Sequence, residues 1–260
     1  MVRKSSRAAA LLAKAWRTGA RLDALPKNLR PRSAAAAYRI QDAFARALGE
    51  PALGWKIGCT SAAARRILKT RAPMYGRVLA SRLFASGVEL GGTHYKLRGV
   101  EGEFAFKLKR DLPPRRRPYA RPEVLAAIGG LHPAIEVIEP RYADWLAVGI
   151  HSIIADLGGN GAIVLGTAVP AWRRIDLREA SVRMTLNGKI VGEGTGADCM
   201  GDPVAALVWL ANALRNRGGL RAGEIVSTGT CCGFHRAAAG DRCIADFGRL
   251  GRVLVRFAGA

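Results

Sequence analysis

At 260 residues, with 49% hydrophobic and 23% charged, the chain is long enough to bury a sizeable core and too apolar to be a disordered segment. A formal net charge of +21 and a pI near 10.9 raise nucleic acid as a partner. The basic residues are scattered from Arg3 to Arg256, however, and the one run, Arg115-Arg116-Arg117, lies between Pro113-Pro114 and Pro118 as a solvated loop. With no zinc-finger spacing, basic zipper or aromatic RNA-binding signature, the expectation is a positive surface that attracts small anions and no nucleic-acid partner.

The five cysteines, Cys59, Cys199, Cys231, Cys232 and Cys243, form an odd set without a C-x-x-C pair, as expected for reduced thiols in the cytoplasm. The stretch from Ala8 to Ala15 is Ala-rich but broken by Lys14 and followed by Arg17. That makes it too short and too charged for a signal sequence or a membrane span, so no membrane association is expected.

In chain order, apolar residues recur at helical spacing from Arg7 to Trp16 and from Ser33 to Leu48, with Ser33 placed as an N-cap. Residues 1–50 therefore read as a helical N-terminal layer in front of a β-rich domain, 51–260. After Gly49, short apolar runs punctuated by glycine predict strands at Trp55 to Cys59, Val100 to Leu108, Ala134 to Ile138, Gly161 to Leu165, Val182 to Leu186 and Leu250 to Phe257. Asn187-Gly188, between two such runs, is a strong hairpin signal because both residues tolerate positive φ. Pro203 to Arg217 reads as a helix with Asp202 as N-cap and Gly218 as its stop. Locally pairing strands with a few inserted helices give an α+β class.

Glu101-Gly102-Glu103 opens the strand pattern that continues to Leu108. Alternation with a period of two puts both carboxylates on one face, where they repel unless something positive lies between them. An isolated E-x-E is most often a solvated edge. Glu136 shifts the balance, because it is a charge inside the apolar run Ala134-Ile135-Glu136-Val137-Ile138 and burial without a partner would cost several kcal/mol. Three convergent carboxylates without nearby cysteine suit Mg²⁺ or Mn²⁺ and leave coordination positions open for a small 2-oxo acid. Glu139 is a rival ligand, placed on the opposite face by alternation and set next to Pro140. Lys56, in Gly54-Trp55-Lys56-Ile57-Gly58, is either a lysine snorkelling from a strand edge or, if buried beside the metal, a proton carrier.

These segments in this order resemble the fumarylacetoacetate hydrolase superfamily, in its 2-keto-4-pentenoate hydratase and 2-oxo-3-hexenedioate decarboxylase branch. The resemblance rests on Gly54 to Ser61, Val100 to Phe106, Pro133 to Arg141, Ala155-Asp156, Gly161 to Gly166, Asn187-Gly188 and Ala245 to Gly251. It implies metal ligation by Glu101, Glu103 and Glu136, an active-site lysine at Lys56, a rolled sheet around the metal, and commonly a homo-oligomer. It also makes Asn160 and the loop Thr228-Gly229-Thr230 candidates for holding a substrate carboxylate. The activity implied is a lyase, a metal-dependent hydratase of 2-hydroxy-2,4-dienoates in aromatic or related carbon catabolism. The alternatives are an acylpyruvate carbon-carbon hydrolase or a 2-oxo acid decarboxylase on the same scaffold and, more remotely, a basic nucleic-acid-binding protein.

Two departures from the family pattern stand out. Pro73-Met74-Tyr75-Gly76 carries methionine where such hydratases often have aspartate, and Leu157-Gly158-Gly159-Asn160 replaces a frequent Asn-Ala-Ser-Ser or Asn-Ala-Ser-Asn. The four histidines, His94, His132, His151 and His235, form no ligand pair at metal spacing and are read as packing or loop residues.

Overall fold

A computed structural model describes residues 2–259. The chain opens with two helices, α1 (Val2–Thr18) and α2 (Ala34–Leu48), and continues through β1 (Ala52–Gly58), α3 (Ala62–Ile67), β2 (Met74–Leu79), β3 (Leu83–Ala85), β4 (Val88–Leu90) and β5 (Gly99–Leu108). The middle holds α4 (Arg121–Ala127), β6 (Ile128–Ile138), α5 (Ile150–Ala155) and β7 (Asn160–Leu165). There follow β8 (Ser181–Leu186), β9 (Lys189–Thr195), α6 (Pro203–Leu214), β10 (Ile225–Thr230), β11 (His235–Arg236), β12 (Arg242–Asp246) and β13 (Arg252–Phe257). The α+β class read from the sequence is the observed one.

Local chemistry explains most boundaries. The Ser33 hydroxyl accepts from the Ala36 amide and Gly49, at φ 74°, closes α2 with its N–H on the Arg46 carbonyl. Ala37, Ile40 and Phe44 form the buried face of α2, and Phe44 meets Trp16 of α1 edge to face at 5.9 Å. Asn187 (φ 50°) and Gly188 (φ 85°) make the β8–β9 turn that their sequence announces. The α6 helix is capped by Asp202, whose carboxylate accepts from the Val204 amide, but it ends at Leu214, three residues before the expected last residue, Arg217. There the Leu214 carbonyl accepts from both Arg217 and Gly219 and turns the chain early. The last strand likewise begins at Arg252 instead of Leu250, because Gly248–Leu250 forms a 3₁₀ turn and Gly251 sits at φ 106°.

The larger sheet has the order β2-β1-β10-β5-β6-β7-β3, with β11 added beside β5, and the smaller has the order β4-β13-β12-β8-β9. Pairing is not only local: β1 runs parallel to β10, β3 to β7 and β4 to β13, joining segments far apart in sequence. The larger sheet rolls on itself, since Val78 of β2 packs in one buried cluster with Ile225, Ala105, Ala134 and Ile163, contributed by strands across its width. That cluster floors the interior. The residues two positions further along β1, β10, β5 and β6 form the next inward layer: Lys56, Ser227, Glu103 and Glu136.

The N-terminal helices share an apolar cluster with Met74, Leu79, Tyr142, Ile153 and Leu157, so they close the β2 side of the roll. Arg141, paired with Asp156 at 2.6 Å, stacks on Trp16 at 4.9 Å and joins this layer to the segment that follows β6. Phe44→Ala is expected to cost about 3–5 kcal/mol in urea unfolding, since it removes a fully buried ring from the joint between α1, α2 and the roll. A loss below about 1 kcal/mol would show that this layer contributes little to stability.

Candidate metal centre

The register of β5 on β6 sets Glu101 directly opposite Glu136, and the pleat brings Glu103, two residues on, to the same inner face. The three carboxylates each offer an oxygen within 4.8 Å of the others, the arrangement expected from E-x-E and the isolated Glu136. Glu103 and Glu136 are fully buried and Glu101 is half-buried at the open side. Glu139 is separate from this group: it accepts from the amides of Leu97 and Arg98, each at 3.0 Å, and pairs with Arg21.

Lys56 projects from β1 into the same layer, with its Nζ 3.1 Å from Glu136 Oε1 and only 2% of its side chain exposed. Of the two readings of this lysine, the buried one is observed. Burial alone would lower its pKa, but the charges of Glu136, Glu101 and Glu103 outweigh that effect and raise it, so the metal-free site holds an ammonium. The same crowding acts on the acids. Burial and the nearby Glu136 charge push Glu101 up to about 7 and Glu103 well above the usual carboxylate range, with Lys56 opposing.

Two groups that the sequence reading did not single out hold this layer together. The Ser227 hydroxyl donates to Glu103 Oε2 at 2.5 Å, and its only sequence cue was a hydroxyl inside the apolar run of β10. The Leu157-Gly158-Gly159 turn, noted as a departure, packs on the stem of Lys56: a Cβ on Gly158 would lie 3.2 Å from Lys56 Cε. Leu157 and Gly158 both take positive φ, 53° and 68°, and Gly76 lies so close that a Cβ there would fall 1.9 Å from the Leu157 carbonyl oxygen. A bulkier residue at either glycine would displace the turn or the lysine.

Asn160 reaches the centre and donates from Nδ2 to Glu136 Oε1 at 3.1 Å, while its own backbone carbonyl accepts from Arg141 at 2.8 Å. The Thr228-Gly229-Thr230 segment, read as a loop, is instead the buried end of β10 in mid-sheet. The Gly229 amide donates to Glu103 Oε2 at 2.9 Å. The Thr228 hydroxyl donates to the Phe104 carbonyl on the other face of the strand, and that of Thr230 to the Gly233 carbonyl. Of these three, Gly229 alone bonds a carboxylate of the triad, and it orients that carboxylate.

After these bonds, Glu103 Oε1, Glu136 Oε2 and Asn160 Oδ1 are buried without a hydrogen-bond partner. Unpaired acceptors in a low-dielectric interior are costly, and carboxylate oxygens aimed at one point are a hard-cation donor set. All five cysteines are free and buried, and burial pushes Cys232 up to about 12 and Cys231 well above its ordinary value, so they remain neutral thiols.

The comparisons with known proteins agree with this geometry. A family model described as the fumarylacetoacetate hydrolase C-terminal region matches residues 88–258. The 2-hydroxyhexa-2,4-dienoate hydratase of Comamonas testosteroni is 35% identical over 199 residues, 75% of this chain and 74% of its own. The 2-keto-4-pentenoate hydratase 1 of Dechloromonas aromatica is 32% identical over 255 residues, 96% of each chain. The solved 4-oxalocrotonate decarboxylase from Pseudomonas putida G7, complexed with magnesium and adipate, superposes with a TM-score of 0.91 at 26% identity, over 99% of this chain and 98% of that one. Matching sequence across residues 88–258 and matching backbone across nearly the whole chain establish that this protein belongs to the fumarylacetoacetate hydrolase family.

Proposed function

We propose that the protein is a divalent-metal-dependent lyase that hydrates small 2-hydroxy-2,4-dienoates, with the metal held by Glu101, Glu103 and Glu136. The observation that carries this reading is the buried carboxylate triad with two unpartnered oxygens, bordered by one ammonium. A cation held there would act as a Lewis acid toward the oxygens of a 2-oxo acid. All-oxygen donors favour Mg²⁺ or Mn²⁺ over zinc. The curated relatives named as hydratases support the reaction, and the decarboxylase complexed with magnesium supports the metal class.

The chain's own groups have separable tasks. Ser227 and Gly229 fix the orientation of Glu103, and Asn160 fixes that of Glu136. Lys56 holds a proton at Nζ within a dry layer, where it can exchange it with a substrate carbon once a bound cation offsets the carboxylates that raise its pKa. The positive surface would draw an anionic acid toward the half-buried Glu101 side. The reading extends to a cytoplasmic homo-oligomer: five free buried thiols suit a reducing compartment, and exposed Leu146 and Phe234 suit contact with another copy.

Decarboxylation of a 2-oxo acid is the second reading. It is favoured by Met74 in the position where the family resemblance expects a carboxylate, and by the structural match to the decarboxylase.

Activity toward 2-hydroxypenta-2,4-dienoate is expected to vanish with chelator and to return with Mg²⁺ or Mn²⁺, followed by loss of dienoate absorbance with products identified by mass. Full restoration by zinc alone would contradict the all-carboxylate assignment.

Metal-free protein should be more stable at about pH 5 than at about pH 8. Glu101 titrates near 7 in the folded chain against an ordinary value of 4.5, so the folded state binds its proton more tightly. The stability it contributes is complete below 4.5 and is lost as the pH rises through about 7. Thermal unfolding with and without Mg²⁺ measures this: the cation should flatten the slope, and an apo melting temperature that climbs across the same interval would refute the crowding argument.

Lys56→Met should lower kcat by about 10²–10⁴-fold, the range for a lost general acid or base, while binding Mg²⁺ at least as tightly as the parent. The competing ammonium on Glu136 is gone in that variant. Parental turnover would make the lysine structural.

A further inference from the structure

The inward layer continues past Lys56 on the side away from the carboxylate strands. Gly58 of β1 pairs with Met74 of β2, and both face the interior on the same side as Lys56 and its partner Gly76. A Cβ added at Gly58 would lie 2.9 Å from the Met74 methyl and 3.3 Å from Lys56 Nζ, so thioether and ammonium border one small space that only glycine leaves open. Met74 is 3% exposed and belongs to the same apolar cluster as Cys59, Ile154 and Leu157.

We propose that Met74 is a specificity-determining residue: it forms the wall that receives the distal end of the substrate, and it selects an uncharged hydrocarbon tail. The inference rests on the 2-oxo acid reading of the metal centre and deepens it by naming the tail. Lys56 Nζ already lies 3.1 Å from Glu136 Oε1, so a second anion would have to compete with that carboxylate for it. Arg65, which follows this stretch in sequence, has its Nη1 engaged by the carbonyls of Cys59 at 3.0 Å and Thr60 at 2.9 Å. A carboxylate brought against the Met74 methyl would be desolvated without a partner, whereas an alkyl tail gains about fourfold in affinity per buried methylene. Gly58 is what keeps the wall within reach, because a side chain there would press Met74 back and crowd Nζ.

The test compares two acids with the same six-carbon chain, 2-oxohexanoate and 2-oxoadipate, by calorimetry on the Mg²⁺-loaded protein. Neither acid carries the conjugated double bonds that hydration requires, so hydration is not needed for the readout. The parent should bind 2-oxohexanoate about tenfold tighter or more. Met74→Ala should reduce that preference to within about threefold by weakening 2-oxohexanoate alone, and Met74→Leu should retain it. Because Met74 is buried, Met74→Gln serves as a second variant of similar length that should also erode the preference; thermal unfolding of each variant checks that it folds. Equal binding of the two acids by the parent, a preference for 2-oxoadipate that Arg65→Met removes, or a preference that survives both Met74→Ala and Met74→Gln would overturn the proposal while leaving the 2-oxo acid reading intact. If neither acid binds the metal-loaded parent, that reading fails and the tail assignment fails with it.

Discussion

Three carboxylates converge inside the roll with one ammonium among them, and much of the surrounding structure answers this imbalance. Burial removes the water that would screen the acids from each other, so repulsion among Glu101, Glu103 and Glu136 is felt at an effective dielectric well below that of solvent. Lys56 pairs with Glu136, and Ser227, Gly229 and Asn160 add hydrogen bonds, yet two carboxylate oxygens keep no partner. The carboxyls of Glu101 and Glu103 are accordingly pushed above the usual range, and a divalent cation would relieve that repulsion.

Keeping such a layer in place needs close backbone contact more than it needs side-chain bulk. The floor beneath it is made of alanine and β-branched residues, Ala105 and Ala134 with Val78, Ile163 and Ile225. Gly76 lets β2 approach the Leu157 carbonyl, and Gly158 lets that turn lie on the lysine stem. The Arg141–Asp156 pair then fixes the segment around Asn160 and ties it, through Trp16, to the N-terminal helices. The geometry around Lys56 is thus supported by residues more than a hundred positions apart. The strongly positive surface and the carboxylate-rich interior would act at different ranges, the first steering an anion in and the second holding a cation.

The sequence by itself determined what depends on near neighbours. Helix caps at Ser33 and Asp202, the Asn187-Gly188 turn, the α+β class and the shared face of Glu101 and Glu103 follow from the pleat, the cap and the turn, each set within a few residues. Glu136 was legible as a charge in an apolar run and was grouped with Glu101 and Glu103 on that ground and by the family resemblance; the register sets it opposite Glu101. What only the tertiary structure decided concerns partners distant in sequence. That Lys56 bonds Glu136 instead of reaching solvent depends on β1 entering the sheet beside β10. Pairing along that edge also turned Thr228–Thr230 from an expected loop into a central strand and brought Ser227 onto Glu103. The end of α6 and the start of β13 shifted because glycines at positive φ redirect the backbone in ways that apolar periodicity does not encode. Local periodicity carries no information about which strands become neighbours, since that choice is made by burying faces against each other over long loops. The face of each residue was therefore readable in advance, and the residue it would meet across the sheet was not.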